Sequence, residues 1–377
     1  MEKVCNIERC MGCMACENIC PVNAIEKVKN DRGFYEPKIN KKICINCKMC
    51  QSMCPEITDI VKVEPIRIYA CKNKELDVRM SSSSGGTFLE LAKKIFESDG
   101  SVYGAAFNDE NKVVHIKAEN EIEFEPIKKS KYVQSDVGNI YESLEEDLKK
   151  GRKVIFSGTP CQVQAALNLN EELRENLYLI DVVCHGVPSP GMFEDYKKYL
   201  ENKYNSKIIK INFRYKTEKS TQNIKVDFEN GETYISSHVD GDLYYSLFAD
   251  DISLRQSCYD CKFKTKKHVS DITIYDCWNI EKADRPSIAE LKTKIKKVPL
   301  KKKVKGVSLI LINTQKGLEL FEQIKNKIDY MEINREDCEP YNCFKNFVIP
   351  SKREDLWNDY LSNGIETLIS KIGTFRD

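Results

Sequence analysis

The sequence predicts two unlike regions: a small, cysteine-rich α+β region, then an α/β domain built on a mixed sheet. Three observations predict this. Within the first 54 residues, eight cysteines form two runs that start 34 residues apart. Between about residue 85 and residue 200, short apolar strands alternate with amphipathic helical patterns, which is the mark of an α/β domain. Residues 208–236 instead alternate apolar and polar side chains around Asn230-Gly231, as an antiparallel pair does. A chain of 377 residues is too long for the cysteine-rich region alone. What remains is enough for one large domain or two medium ones, and a hydrophobic content of 41% supports a buried core.

The first region is read from its spacing. Cys10, Cys13, Cys16 and Cys20 form C-x2-C-x2-C-x3-C, followed by Pro21. Cys44, Cys47, Cys50 and Cys54 repeat the run, followed by Pro55. This is the bacterial two-cluster ferredoxin pattern, in which the fourth cysteine of each run ligates the other cluster. One 4Fe-4S cluster is therefore expected on Cys10, Cys13, Cys16 and Cys54, and the other on Cys44, Cys47, Cys50 and Cys20. Zinc sites pair two C-x2-C knuckles, and disulfides need an oxidising compartment, so both suit these runs less well. Residues 1–60 are thus expected to form an α+β ferredoxin-like dicluster domain that carries single electrons.

The remaining elements follow in order. Residues 61–80 read as a connecting strand and linker, with Ile66, Ile68 and Ala70 alternating with other residues. Ser81–Thr87 leads into a helix whose Phe88, Leu91, Ala92, Ile95 and Phe96 share one face, ending near Gly100. Ser101–Phe107 reads as a strand and Val113–Ile116 as its hairpin partner. Ile140, Leu144 and Leu148 mark a helix stopped at Gly151. Val154–Phe156 is a short strand, Gln162–Leu167 a helix after Pro160, Leu177–Val183 a buried strand, and Phe193–Leu200 a helix after Pro190. Late in the chain, Val307–Ile312 reads as a buried strand and Leu318–Ile328 as an amphipathic helix. The domain limits expected are 81–150, 151–335 and a C-terminal extension over 336–377.

Nine cysteines lie outside the two runs. Cys161 follows one buried strand, Cys184 ends another, and Cys258 with Cys261 forms a C-x2-C knuckle. Ligands gather at strand ends in α/β sheets. These four make a ligand set for a third 4Fe-4S cluster or a zinc ion; the competing reading is that they are small buried hydrophobes. His185 follows Cys184, where a hydrogen bond to the site or a proton relay is one reading and a loop histidine bonded to backbone is the other. Ser84, Gly85, Gly86 and Thr87 at a helix start form a candidate phosphate cradle.

Composition narrows the function classes. Net charge is +1, so no global field points to nucleic acid. No apolar run is long enough to span a membrane, and the N-terminus has no signal-peptide h-region, so a cytoplasmic protein is expected. Seventeen cysteines fit a reducing, anaerobic setting. Lys292–Lys305 holds eight lysines in fourteen residues. It reads as a solvated loop or as a dock for an acidic redox partner or phosphorylated cofactor.

Five segments occur in an order that identifies a family: Ser83–Thr87, Lys131–Ser135, Ser157–Gln162, Cys184–Ser189 and Ser257–Cys261. The chain resembles the beta subunit of coenzyme F-420-reducing hydrogenase and its dehydrogenase relatives, in particular members with a fused N-terminal ferredoxin. The resemblance implies a flavin, FAD or FMN, on the α/β domain. It also implies a 4Fe-4S cluster on Cys161, Cys184, Cys258 and Cys261, and exchange of electrons with a deazaflavin. The candidate cofactor-binding residues are then Ser84, Gly85, Gly86, Thr87, Lys131, Tyr132, Ser157, Gly158, Thr159 and Asp271. Relatives read Gly-Asp-Phe-Trp-Gly where this chain reads Tyr275-Asp276-Cys277-Trp278-Asn279, so two side chains stand where backbone otherwise approaches the cofactor closely. The expected function is an iron–sulfur flavoprotein oxidoreductase working with a redox partner or separate catalytic subunit. The alternatives are an electron-transfer adaptor with no substrate site, and a protein whose clusters are structural or sensory.

Overall fold

The computed structural model describes residues 2–218, 220–277, 306–334 and 344–375. The first 60 residues hold a two-stranded antiparallel sheet, β1 (Ile25–Lys29) and β2 (Tyr35–Ile39), with one-turn helices at Ala15–Asn18 and Met49–Ser52. Each of those helices starts after a residue with positive φ, Met14 and Lys48, inside a cysteine run. Val4, Ile25 and five buried cysteines make the small core. With so few apolar side chains, this region has little burial of its own to hold it folded.

The rest is organised by an eight-stranded mixed sheet. Its strands are β3 (Arg67–Asn73), β4 (Ser101–Phe107), β5 (Val113–Ala118), β6 (Val154–Gly158), β7 (Leu177–Val182), β11 (Ile272–Asp276), β12 (Ser308–Ile312) and β13 (Ile328–Glu332). They lie in the order β13-β3-β12-β11-β7-β6-β4-β5. The four inner strands β4, β6, β7 and β11 run parallel to one another, and antiparallel strands flank them on both sides. Alternation along each strand sends side chains to two faces. Ile155, Ile180, Ile272 and Ile310 pack under the helices Thr87–Phe96 and Gln315–Glu322. Phe156 and Leu179 face the other way, with the helices Ile140–Lys149 and Pro160–Leu167 and with Met14 and Met53 of the first region.

A three-stranded antiparallel sheet, β8 (Ile208–Tyr215), β9 (Asn223–Phe228) and β10 (Thr233–Ser236), packs around Phe193, Tyr196, Tyr244 and Trp357. The hairpin at Asn230-Gly231 forms as expected, with β8 as a third strand. Two expectations are corrected. Residues 61–80 hold the expected strand but do not act as a linker, because that strand, β3, is hydrogen-bonded on both sides within the large sheet. The C-terminal extension packs back, and its helix Arg353–Asn363 buries Trp357 in the same core as β8 and β9. The expected helix Leu318–Ile328 stops at Glu322, and Ile328 begins β13. The lysine-rich segment 292–305, with Asn279, Cys338 and Cys343, lies outside the described residues. Among the described residues no helix is long and apolar enough to cross a membrane.

The two regions interlock. Arg255, 3% exposed, donates from Nε to the Cys10 carbonyl at 2.6 Å and from Nη1 to the Tyr35 carbonyl at 3.0 Å. Asn18 Nδ2 donates to the Gly138 carbonyl at 2.7 Å, and Lys27 pairs with Asp136. Gly33 meets Gly191 at the start of the helix Pro190–Tyr204, where a Cβ on Gly33 would stand 2.6 Å from the Gly191 Cα. Only glycine permits that backbone approach.

Candidate functional site

The N-terminal cysteines separate into an inner and an outer group. Cys10, Cys16 and Cys54 are buried and line one cavity together with Cys13 and Cys5. Cys47 is exposed, Cys44 and Cys20 are half-exposed, and their charges act on buried Cys50. Cys54 thus lines the cavity of the first run, and Cys20 acts on Cys50 of the second. Each one-turn helix carries one cysteine, Cys16 or Cys50, and buries it. Cys5 was not foreseen as part of the site. Its thiol hydrogen-bonds with Cys10 and Cys54, lowering the pKa of both and raising its own. No spacing signal marks it, because Cys5 reaches the site through the fold of the N-terminal arm.

Cys161, Cys184, Cys258 and Cys261 line one cavity with Met11, Thr159 and Phe263. Their elements explain the convergence. Cys161 stands in the first turn of a helix capped by Thr159, Cys184 lies just past the carboxyl end of β7, and the knuckle follows the 3-10 turn at Gln256–Cys258. Burial pushes all four thiols above the ordinary cysteine value, Cys161 to about 12. A thiolate in such surroundings needs a cation to hold it, and iron does so. Among the described residues no three His, Cys, Asp or Glu side chains close on a point as ligands of a single ion do. Burial and the neighbouring Cys161 both raise the Cys13 thiol, and Met11 lines both cavities. Cys50 of the outer group in turn acts on Cys16 of the inner one, so the three cysteine groups follow one another from the α/β cavity.

The predicted cofactor-binding residues are only partly brought together. The Gly85 amide donates to Ser308 Oγ at 2.9 Å, and a Cβ there would stand 2.5 Å from the Cys71 carbonyl oxygen. Its smallness serves the contact with β3 and β12, so Gly85 offers no free donor to a phosphate. Ser84 donates to the Val307 carbonyl. At the helix start, beyond Gly86 with its positive φ, Thr87 is 1% exposed and its hydroxyl has no partner among the described residues. Lys131 folds back, donating to the carbonyls of Ala105 and Pro126. Tyr132 stacks on Phe248 with ring centroids 4.9 Å apart. The Ser157 carbonyl faces His115, Gly158 ends β6, and Thr159 belongs to the cysteine cavity, 3.1 Å from Cys161 Sγ. Asp271 lies apart. It accepts from the Leu179 amide and the Thr314 hydroxyl under the helix Gln315–Glu322, about 16 Å along β11 from Asp276. That carboxylate ties two elements together.

A feature not read from sequence stands beside Thr87. Arg214, 3% exposed, forms a two-point ion pair with Asp276 at 2.7 and 3.1 Å, and reaches the Tyr132 hydroxyl and the Ser83 carbonyl. Lys216 Nζ donates to the Ser84 carbonyl at 2.8 Å. Burial pushes Lys216 and Lys131 down to about 7, and the charges of Arg214, Lys129 and Arg79 add to the effect at Lys216. Five cations thus gather at the carboxyl end of the parallel strands, on the face that carries the helix Thr87–Phe96. Tyr275 sits on the opposite face, against Ile68 and Leu309, because neighbouring strand residues alternate. Its side chain does not obstruct the cationic side. His185 Nε2 lies 2.7 Å from Asp251 Oδ1 and packs against Phe248.

Comparisons with known proteins identify the family. The family described as the C terminus of the beta subunit of coenzyme F420 hydrogenase/dehydrogenase matches residues 151–337. The family described as a 4Fe-4S dicluster domain matches residues 9–57. The chain is 26% identical over 270 residues to the F subunit of the F(420)H(2) dehydrogenase of Methanosarcina mazei, covering 67% of this chain and 71% of that one. A solved chain of the F420-reducing [NiFe] hydrogenase complex from Methanosarcina barkeri is 13% identical, with a TM-score of 0.46, over 82% of this chain and 93% of that one. Residues 151–337 form a region of the family described as the C terminus of coenzyme F420 hydrogenase/dehydrogenase beta subunits, and residues 9–57 form a 4Fe-4S dicluster domain.

Proposed function

We propose that this chain is an iron–sulfur flavoprotein that takes electrons from, or gives them to, a hydride carrier and passes them singly to a partner protein. The observation that carries the reading is the row of three cysteine groups, with Met11 shared between the α/β cavity and the inner N-terminal site. Cys161, Cys184, Cys258 and Cys261 would hold a third 4Fe-4S cluster. Cys10, Cys13, Cys16 and Cys54 would hold the inner ferredoxin-type cluster, and Cys44, Cys47, Cys50 and Cys20 the outer one. Their number suits such clusters, and each of the two cavities is lined by at least four cysteines with apolar neighbours.

A bound flavin supplies the switch between two-electron hydride chemistry and one-electron transfer. The charges of Arg214, Lys216, Lys129 and Arg79, with the Thr87 hydroxyl and the helix start behind it, suit its phosphate, and Lys131 adds charge from nearby without a free donor. The turn Ser157–Thr159 lies between that cationic cluster and Cys161. Deazaflavin F420 is the carrier suggested by the name of the Methanosarcina mazei relative. A second reading, an adaptor with no substrate site, draws support from Gly85 and Lys131, whose donors are already committed to protein carbonyls and hydroxyls.

Anaerobic purification followed by iron, sulfide and flavin extraction tests the reading. About twelve irons and one flavin per chain are expected. Eight irons and no flavin would leave only the adaptor. Reduced F420 should then bleach the bound flavin without any added protein; bleaching only by reduced ferredoxin or a nicotinamide would replace the carrier.

A further inference from the structure

We propose that Lys41–Met49 is a docking surface through which an acidic one-electron carrier protein exchanges electrons with the outer cysteine group. The inference rests on the electron-transfer reading above and adds where the partner sits and what charge it carries.

Position comes first. Cys10, Cys13, Cys16 and Cys54 are buried, whereas Cys47 is exposed at the far end of the row from Cys161. An electron leaving or entering by the shortest protein path does so beside Cys47. Around it the chain presents Ile43, Ile45 and Met49, which are 47%, 61% and 40% exposed. Three large apolar side chains within seven residues form the kind of apolar centre that partner surfaces cover.

Charge decides the occupant. Lys41, Lys42 and Lys48 ring that centre and are all exposed. From Pro37 to Pro55 the sequence has four lysines and no acidic residue, in a chain whose net charge is only +1. Among the described residues one outside carboxylate touches the ring, Glu2 at 3.5 Å from Lys41 Nζ, with both side chains widely exposed. Such a pair contributes little and yields to a better partner. A basic rim around an apolar centre is complemented by an acidic rim, and charges so placed steer encounter. In the exchange one electron moves from the reduced iron–sulfur centre of one protein to the oxidised centre of the other; no bond forms or breaks.

The test uses the full chain, reduced with dithionite and desalted, in stopped flow. The probes are an oxidised acidic [2Fe-2S] ferredoxin and hexaammineruthenium(III), a small cation that needs no docking. The ferredoxin rate should fall about tenfold between about 0.02 and 0.2 M salt. Lys41→Glu, Lys42→Glu and Lys48→Glu together should lower it about a hundredfold at low salt, while the ruthenium rate rises. A ferredoxin rate indifferent to salt, or unchanged in the triple variant, overturns the docking surface. Should the triple variant lose iron, Lys42→Gln and the salt series on the unaltered chain decide the matter. Failure to reduce even the ruthenium cation would remove the electron-transfer reading itself, and the docking surface with it.

Discussion

The N-terminal cysteines reach their places through turns of two or three residues, whereas Cys161, Cys184, Cys258 and Cys261 are collected from three elements spread over a hundred residues. The first region has a core of a few apolar side chains and its own cysteines. The second is placed by a sheet whose inner strands are buried on both faces. The difference teaches how each site depends on metal. Short loops around a cluster fold with it, since ligand binding is then folding free energy. A cavity set by strand ends is held by the packing of the whole domain.

The largest effects should come from single ligands. Cys184→Ser should cost about four of about twelve irons and stop transfer from the hydride carrier, while both N-terminal signals persist in electron paramagnetic resonance. Cys13→Ser should cost N-terminal iron and destabilise residues 1–60, sparing reduction of any bound flavin. Iron assays and spectra on both variants check this; equal losses from both would break the distinction between the regions.

Arg255 tests how firmly the regions are joined. Arg255→Ala leaves the carbonyls of Cys10 and Tyr35 without that donor in a buried seam. A loss of about 3–5 kcal/mol is expected in urea unfolding. A loss below about 1 kcal/mol would mean that the N-terminal region sits on the sheet through apolar contact alone.

The cationic cluster predicts a pH dependence peculiar to the second region. Lys131 and Lys216 are pushed down to about 7, chiefly by burial. An anion favours their charged forms, so affinity for FMN or inorganic pyrophosphate should be level below about pH 7. Above it, affinity should weaken by up to about tenfold per unit for each lysine. Without an anion the sign for stability is opposite: unfolded lysines hold their protons up to about pH 10, so stability rises with pH across that window. Calorimetric titrations at several pH values check the affinity, and Lys216→Met should flatten the profile.

The smallest expected effect concerns Cys5. Cys5→Ala alone should leave the iron content unchanged. In a Cys54→Ser background the same change should remove inner-site iron that Cys5 would otherwise retain, because its thiol already lies within hydrogen-bonding reach of Cys10 and Cys54. Iron content of the Cys54→Ser chain with and without Cys5 decides this.

Much of the fold was legible. The strands at 101–107, 154–158 and 177–182 and the helix at 87–96 carry clean periodicities, and all form close to where the periods place them. The strand expected within residues 61–80 forms, but its place in mid-sheet, like the packing of the helix Arg353–Asn363 against a distant core, shows only when partners such as β12 or β8 arrive. At the site, Gly85 and Lys131 have the residue types a phosphate needs, but the fold commits them to Ser308 and Ala105.

By itself the sequence determined the two cysteine runs of a dicluster domain, because C-x2-C-x2-C spacing bounds how far a few residues of backbone can reach. It also determined the knuckle and the two strand-end cysteines as candidates. Only the tertiary structure decided that Cys13 stands beside Cys161, that Cys5 joins the inner site and that Arg214 and Lys216 meet near Thr87. Those neighbours come from distant strands, and the face on which each side chain emerges is fixed by strand register, which only the assembled sheet sets.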